Sequence, residues 1–147
     1  MRFLGLDIGA KRTGVAVGDD ESTVAAPAAL VEAPLADRAR WLEAIVRVVE
    51  EHEPEAIVVG LPLNMDGSTG PAASQAREIA EALARRLGLP AHLQDERLTT
   101  HQARQTLAHS GLTRKRKKRR TDALAAAHML QAFLDDRAAA AQKNTRS

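Results

Sequence analysis

The sequence predicts an α/β fold, a mixed five-stranded sheet that starts as an antiparallel meander, continues with parallel strands and carries helices on its faces. Two observations support this prediction. Three apolar stretches within residues 3–31 are separated by turns too short to hold a helix. After residue 37, apolar residues at helical spacing alternate with short apolar runs, as in strand–helix–strand units.

The meander begins with a hairpin over residues 3–19. Its predicted turn is Gly9-Ala10-Lys11-Arg12, with Gly9 able to take a positive φ. Residues 24–31 read as the third strand. Pro27 assigns that strand to a sheet edge, because proline has no N–H to donate to a neighbouring strand.

Helices and strands alternate in the rest of the chain. Pro54 ends the first helix, Pro71 suits the first position of the second, and Gly88 caps it. The basic run before the last helix is expected to be a mobile loop. The predicted elements are a helix over 37–52, a strand buried on both faces over 56–61, a helix over 71–87, a strand over 89–94, a helix from Thr99 or Thr100 to about Ser110, and a helix from about Thr121.

Composition limits the function classes. At 147 residues the chain is expected to form a single domain over 1–136 with a flexible tail over 137–147. Aromatic residues make up 2%, which argues against nucleic-acid binding by rows of stacking rings, and the absence of cysteine excludes thiolate chemistry. No signal peptide or membrane span is apparent, so a cytoplasmic protein is expected.

Positive charge is concentrated in one segment. Residues 114–120 carry seven consecutive cations, whereas the rest of the chain has 14 basic and 19 acidic residues. Such a run predicts a polyanionic partner held through its phosphates, although it is also compatible with a solvated loop. The predicted binding residues are Arg114, Lys115, Arg116, Lys117, Lys118, Arg119 and Arg120.

Acidic residues accompany the predicted strand ends. Asp7 stands in the apolar first strand, where it is either satisfied by backbone amides or bound to a metal ion. Asp95 and Glu96 follow the last strand, and Asp122 begins the last helix. Ligands of such sheets bind beyond the carboxyl ends of the parallel strands. The sequence therefore predicts a site of carboxylate oxygens suited to Mg²⁺ or Mn²⁺.

Four segments resemble blocks of the YqgF/RuvX family in order and spacing, and the resemblance extends from residue 1 to about residue 135. It implies a ribonuclease H-like fold and similarity to Holliday junction resolvases. It also implies a nuclease that processes the 5′ end of precursor 16S ribosomal RNA in ribosome biogenesis. The four segments are Leu4–Ala16, Val59–Gly67, Asp95–Thr100 and Asp122–Ala126.

The resemblance also implies that Asp7, Glu96 and Asp122 are the catalytic, metal-binding acids. Two Mg²⁺ or Mn²⁺ ions held by them would clamp the scissile phosphate. Junction resolvases use four acids. Candidates for a fourth acid in this chain are Asp95, Asp19 and Asp66.

Phosphate contacts are predicted around these acids. Lys11 and Arg12 at the hairpin tip, and Arg97 beside Glu96, are candidates for phosphates flanking the cut. Asn64, with the amides of residues 67–70, is a candidate for a loop over the nucleic acid. The alternative for each is an ordinary surface or turn role.

Three other functions compete with rRNA processing. Holliday junction cleavage would act on branched DNA and favour a dimer. Residues 7–14 also resemble the phosphate-binding hairpin of sugar kinases, actin and Hsp70, but those proteins need two such domains. A non-catalytic RNA-binding maturation factor would use the basic run alone. The expected partners are precursor rRNA and a ribosomal subunit, and the expected state is a monomer or weak homodimer.

Overall fold

The structure is a computed structural model that describes residues 1–96 and 114–145, with the side chains of the second range described over 123–142. Its elements alternate as the sequence predicts, with five strands and three helices in the described residues. In chain order they are β1 (Arg2–Ile8), β2 (Thr13–Asp19), β3 (Ala25–Val31), α1 (Arg38–His52), β4 (Ala56–Leu61), α2 (Pro71–Leu87), β5 (Ala91–Asp95) and α3 (Arg114–Thr145).

The five strands form one sheet in the order β3-β2-β1-β4-β5. β1, β2 and β3 pair antiparallel, and β1, β4 and β5 pair parallel. The predicted mixed sheet is thus confirmed. Pro27 lies in the edge strand β3, as predicted, and every residue of β4 is buried.

Each face of the sheet packs against helices. Leu6 and Val59 point toward α1 and α2, where Trp41 and Ile79 complete a buried cluster. Alternate residues on the other face, such as Phe3 and Val58, pack against Leu130 and Leu134 of α3. This division follows from the two-residue period of strands, and it decides which side chains can meet at the carboxyl edge of the sheet.

The residues predicted to begin and end α1 and α2 do so in the structure. The Asp37 carboxylate accepts a hydrogen bond from the N–H of Arg40 and caps α1. Pro71 occupies the first turn of α2, and Gly88 ends it in the left-handed conformation (φ 68°). Both helices therefore begin and end within one residue of the predicted positions.

The start of the last helix differs from the prediction. α3 begins at Arg114, so the basic run is helical rather than a loop, and its backbone continues to Thr145. Lysine and arginine have high helix propensity, and extending a formed helix adds a hydrogen bond for each residue. The packed segment around Leu130 anchors the helix, so adjoining turns can continue it in both directions. Flexibility of residues 137–147 stays a prediction.

Two smaller expectations also need correction. Gly9 is not among the glycines with positive φ, and it is needed for a different reason. A Cβ on Gly9 would lie 2.7 Å from the carbonyl oxygen of Arg12, the atom to which the Gly9 N–H donates. β5 starts at Ala91 rather than at Leu89, because Pro90 has no N–H for the ladder. The helix predicted from Thr99 or Thr100 lies outside the described residues.

Across residues 1–96 and 114–145, none of the helices is both long and apolar enough to cross a bilayer.

A buried hydrogen bond joins α1 to the sheet. The indole Nε1 of Trp41 donates to Oγ1 of Thr13 over 2.9 Å, and both side chains are fully or almost fully buried. The bond satisfies a donor that the apolar core around it cannot satisfy.

Replacing Thr13 with valine keeps the shape of the side chain but leaves the Trp41 N–H without its acceptor. We expect Thr13→Val to lower the free energy of unfolding by about 1–3 kcal/mol, measured by urea denaturation. In a Trp41→Phe background the same change should cost much less, because no indole N–H remains. An equal cost in both backgrounds would show that the hydrogen bond contributes little.

Candidate active site

The site lies at the carboxyl edge of the sheet, on the face that α3 covers. Phe3 and Gly5 of β1 point toward α3, and a Cβ on Gly5 would lie 3.1 Å from Cβ of Leu130. Strand alternation therefore places Asp7 on the same face, near the end of β1. Glu96 follows directly after β5, two strands away.

Glu96 reaches Asp7 by crossing the end of β4. The backbone N–H of Glu96 donates to the carbonyl oxygen of Leu61 over 3.4 Å, which keeps Glu96 beside the end of β4. The Glu96 Oε2 atom occupies the space that a Cβ on Gly60 would need, and the two would clash. Only glycine at position 60 leaves room for the carboxyl group in this position.

Gly60 is thus a site residue that the sequence-based prediction does not include. A glycine inside an otherwise β-branched and aliphatic strand, Ala-Ile-Val-Val-Gly-Leu, is the available signal. Such glycines often mark a close approach by another group.

The two carboxyl groups interact strongly. The pKa of Glu96 is raised from 4.5 to about 9, first by loss of solvation in its half-buried position, then by the charge of Asp7, a hydrogen bond with Asp7 and the charge of Asp95. At neutral pH Glu96 therefore keeps its proton and donates it to Asp7. The predicted convergence of Asp7 and Glu96 is observed.

Asp122 belongs to α3, one turn before the buried Ala126. The direction of α3 follows from its contacts. Leu130 lies against Gly5, and farther along the helix Arg137 stacks over the Phe3 ring at 5.2 Å. α3 therefore runs antiparallel to β1, with its amino-terminal half toward the edge that carries Asp7. The Asp122 side chain lies outside the described residues. Among the described side chains no third His, Asp or Glu completes a metal-binding group with Asp7 and Glu96.

The hairpin tip carries two predicted phosphate ligands in different settings. Lys11 is exposed. The Arg12 side chain is 22% exposed and its Nε lies 3.8 Å from Glu32 Oε1, which draws it toward the sheet edge. The role of both residues in nucleic-acid binding stays a prediction.

The loop between β4 and α2 is closed by its own hydrogen bonds. Asn64 donates from Nδ2 to the Ser68 hydroxyl over 3.0 Å, and its N–H donates to the Ser68 carbonyl. Asp66 accepts from the N–H and hydroxyl of Ser68. Asn64 therefore has a clear structural function, and its contact with nucleic acid stays a prediction. Arg97 and the side chains of residues 114–120 lie outside the described residues.

The candidates for a fourth acid differ in position. Asp19 pairs with Arg2 across the hairpin, at the opposite end of β1 from Asp7, and caps the next turn through the N–H groups of Glu21 and Ser22. It is too far from Asp7 to share an ion with it. Asp95 lies beside Glu96, and its charge contributes to the raised Glu96 pKa.

Comparison with known proteins identifies the family. A family model described as "RuvX: Holliday junction resolvase" matches residues 1–136. The chain belongs to this RuvX family. The predicted resemblance is thereby confirmed, and it covers every element of the sheet and the packed part of α3.

Curated relatives of this RuvX-family chain share its length. A protein of Anaeromyxobacter sp. (strain Fw109-5) is 45% identical over 137 residues, covering 93% of this chain and 98% of the relative. One from Listeria innocua is 40% identical over 135 residues, covering 92% and 98%. Both are named "Putative pre-16S rRNA nuclease".

Solved structures agree on the fold. Thermus thermophilus RuvC in complex with a Holliday junction superposes with a TM-score of 0.56 at 19% identity, covering 95% of this chain and 96% of that one. The fowlpox virus Holliday junction resolvase gives 0.58 at 11%, covering 92% and 99%. These neighbours confirm the predicted ribonuclease H-like fold. The family and the named relatives agree on the enzyme class, so this RuvX-family protein is a nuclease, a phosphodiester hydrolase.

The raised Glu96 pKa predicts how stability depends on pH without metal. Between pH 4.5 and about 9 the folded protein holds a proton on Glu96 that the unfolded chain has lost. Stability is therefore highest below this window and falls as the pH rises through it, by up to about 1.4 kcal/mol per pH unit for one proton.

Glu96→Gln should remove most of this slope and make the protein more stable than wild type at pH 8, because the amide donates to Asp7 at every pH. Urea unfolding in EDTA at several pH values measures the free energy of unfolding of each variant. Glu78→Gln, on the exposed face of α2, is the charge-matched control. Parallel stability profiles for wild type and Glu96→Gln would contradict the assignment.

Proposed function

We propose that Asp7, Glu96 and Asp122 form the metal-binding catalytic centre of this nuclease and that its substrate is precursor 16S ribosomal RNA. The observation that carries the proposal is the contact between Asp7 and Glu96. Two acids from different strands meet at the edge where such sheets bind ligands, and one has a pKa of about 9.

The two acids suit a hard divalent cation. They supply oxygen ligands only, and their mutual repulsion, now relieved by a proton on Glu96, would be relieved equally by a bound cation. We expect Mg²⁺ or Mn²⁺, as two ions, and the chemistry supplied there is activation of the attacking water and stabilisation of the leaving 3′ oxygen.

Within this proposal each residue has a defined task. Asp7 and Glu96 would hold the ions from the sheet, and Gly60 keeps the space that Glu96 needs. The helical period places position 122 on the face of Ala126, so Asp122 would add an oxygen ligand from α3. The basic residues of the turns before it would hold phosphates next to the cut.

The choice of RNA rests on the relatives. Those that are 40–45% identical are named for pre-16S rRNA, whereas the junction-binding neighbours are 11–20% identical and support the fold alone. We place the protein in the cytoplasm, as a monomer or weak homodimer that meets its RNA on a ribosomal subunit. Holliday junction cleavage is the second candidate, favoured by the description of the family.

Cleavage assays test both substrates. We expect wild type with Mg²⁺ or Mn²⁺ to cut end-labelled precursor 16S RNA, and Asp7→Asn to lose at least about 100-fold in rate because a metal ligand is gone. Glu78→Gln serves as the control. Paired symmetric nicks in a four-way DNA junction, with RNA left intact, would move the substrate to DNA. Equal cleavage by wild type and Asp7→Asn would exclude the proposed centre.

The basic turns of α3 predict a salt-dependent affinity. Changing the seven cations of residues 114–120 to glutamine should weaken RNA binding. It should also flatten the plot of log K against log salt by roughly 0.7–0.9 for each phosphate that the variant no longer neutralises. Filter binding at several salt concentrations measures the slope. The control is the double variant Arg77→Gln/Arg85→Gln, whose residues are exposed on α2 on the other face of the sheet. It should keep the wild-type salt slope. An unchanged slope in the variant of the basic run would remove that run from the binding surface.

A further inference from the structure

A cavity of about 520 Å³ lies at the carboxyl ends of β1 and β4, on the face that α1 and α2 cover. Its apolar lining includes Ile8, Leu35, Pro62 and Ile79. The volume is in the range of sites for small ligands. None of the functions assigned above to Asp7, Glu96 or α3 uses this space.

The cavity combines an apolar interior with polar side chains at its mouth. Leu35 and Ile79 are buried, whereas Arg38 and Gln75 are exposed. Gln75 can donate and accept hydrogen bonds, and Arg38 presents a planar cation. Apolar walls with convergent polar groups suit a flat heterocycle with hydrogen-bonding edges better than they suit a phosphate alone.

The cavity adjoins the acid pair through a single residue. Gly60 lines the cavity, and its α-carbon on the other face of the sheet lies against the Glu96 carboxyl group. The cavity and the acid pair thus lie on opposite faces of the sheet at the same carboxyl edge, and a nucleic-acid strand that follows this edge would pass both.

The phenylalanine and tryptophan rings of the chain serve packing. The sequence contains two phenylalanines and one tryptophan and no tyrosine. Phe3 and Trp41 are buried, and Phe133 packs against Phe3 with ring centroids 5.1 Å apart. Proteins commonly hold unpaired bases by stacking on exposed aromatic rings, and this chain uses its phenylalanine and tryptophan rings for packing.

We propose that this cavity binds one unpaired nucleobase of the substrate, next to the phosphodiester held at the acid pair. The apolar walls contact the two faces of the base, and Gln75 and Arg38 contact its polar edge or the adjoining phosphate. The inference rests on the proposed function, and it adds a requirement to it, namely that at least one nucleotide beside the cut is single-stranded.

The test measures binding without metal, so that it does not depend on cleavage. A single-stranded RNA of about 12 nucleotides, within the usual site size for single-strand binding, carries 2-aminopurine at a central position. Its fluorescence is followed with protein in EDTA. The blocking variant is Ala72→Phe, because Ala72 is exposed and lines the cavity. The matched control is Ser74→Phe, exposed on the same turn of α2 and not part of the lining.

We expect wild type and Ser74→Phe to change the 2-aminopurine fluorescence and to bind alike. Ala72→Phe should bind about 10-fold more weakly and lose the fluorescence change, since stacking of one base contributes about 1–3 kcal/mol, and Gln75→Ala should weaken binding less. Thermal unfolding midpoints of both phenylalanine variants check folding. A fully abasic RNA of the same length, which has no base to enter the cavity, should bind wild type as weakly as the normal RNA binds Ala72→Phe.

Three results would overturn the proposal. They are equal binding by Ala72→Phe and Ser74→Phe, equal binding of abasic and normal RNA by wild type, and an unaltered 2-aminopurine fluorescence change with Ala72→Phe. If Asp7→Asn cleaved normally while the fluorescence results held, the catalytic assignment would fail and the base site would stand. If Asp7→Asn lost cleavage but the fluorescence results failed, the catalytic assignment would stand and the base site alone would be removed.

Discussion

The contact between Asp7 and Glu96 is the constraint on which the rest of this structure depends. Two acids at the end of a hydrophobic sheet repel each other, and here burial of Glu96 and the charge of Asp7 raise the Glu96 pKa to about 9, so that Glu96 stays protonated at neutral pH. The contact needs three local arrangements. Asp7 has to face α3, the Glu96 side chain has to extend over Gly60 of β4, and position 60 has to lack a side chain. Sites built for function often give up stability in this way.

Much of the fold is predictable because local signals and tertiary packing agree. Pro27 identifies an edge strand, Pro71 and Gly88 mark the ends of a helix, and the unbroken apolar run of β4 marks a strand buried on both faces. The basic run is helical against expectation, because helix propensity and continuity with a packed helix outweigh charge repulsion. The approach of Asp7 to Glu96 is predictable from strand ends. The glycine in the aliphatic strand β4 signals a close approach, but the group that approaches Gly60 and the cavity behind it depend on side-chain positions across two strands.

α3 links packing to the charged part of the molecule. Its buried residues from Ala125 to Leu134 pack on one face of the sheet against β1, β2 and β4, and the same continuous helix carries position 122 and the basic turns before it. Small residues at Ala126 and at Gly5 of β1 let the helix approach closely. An anchored helix sets the backbone position of its amino-terminal turns relative to the sheet edge. A long mobile loop would not preserve that geometry.

The edge strand β3 is protected in three ways. Its Pro27 cannot donate a hydrogen bond, its register slips by one residue opposite Val15 and Ala16, and the Gln131 side chain of α3 accepts from the Ala25 N–H and donates to the Thr23 carbonyl. A proline, a bulge and a side-chain cover each prevent a second strand from adding to a sheet. The helix that brings positive charge to the sheet thus also shields its margin against intermolecular β-pairing, which would otherwise favour aggregation of newly made copies.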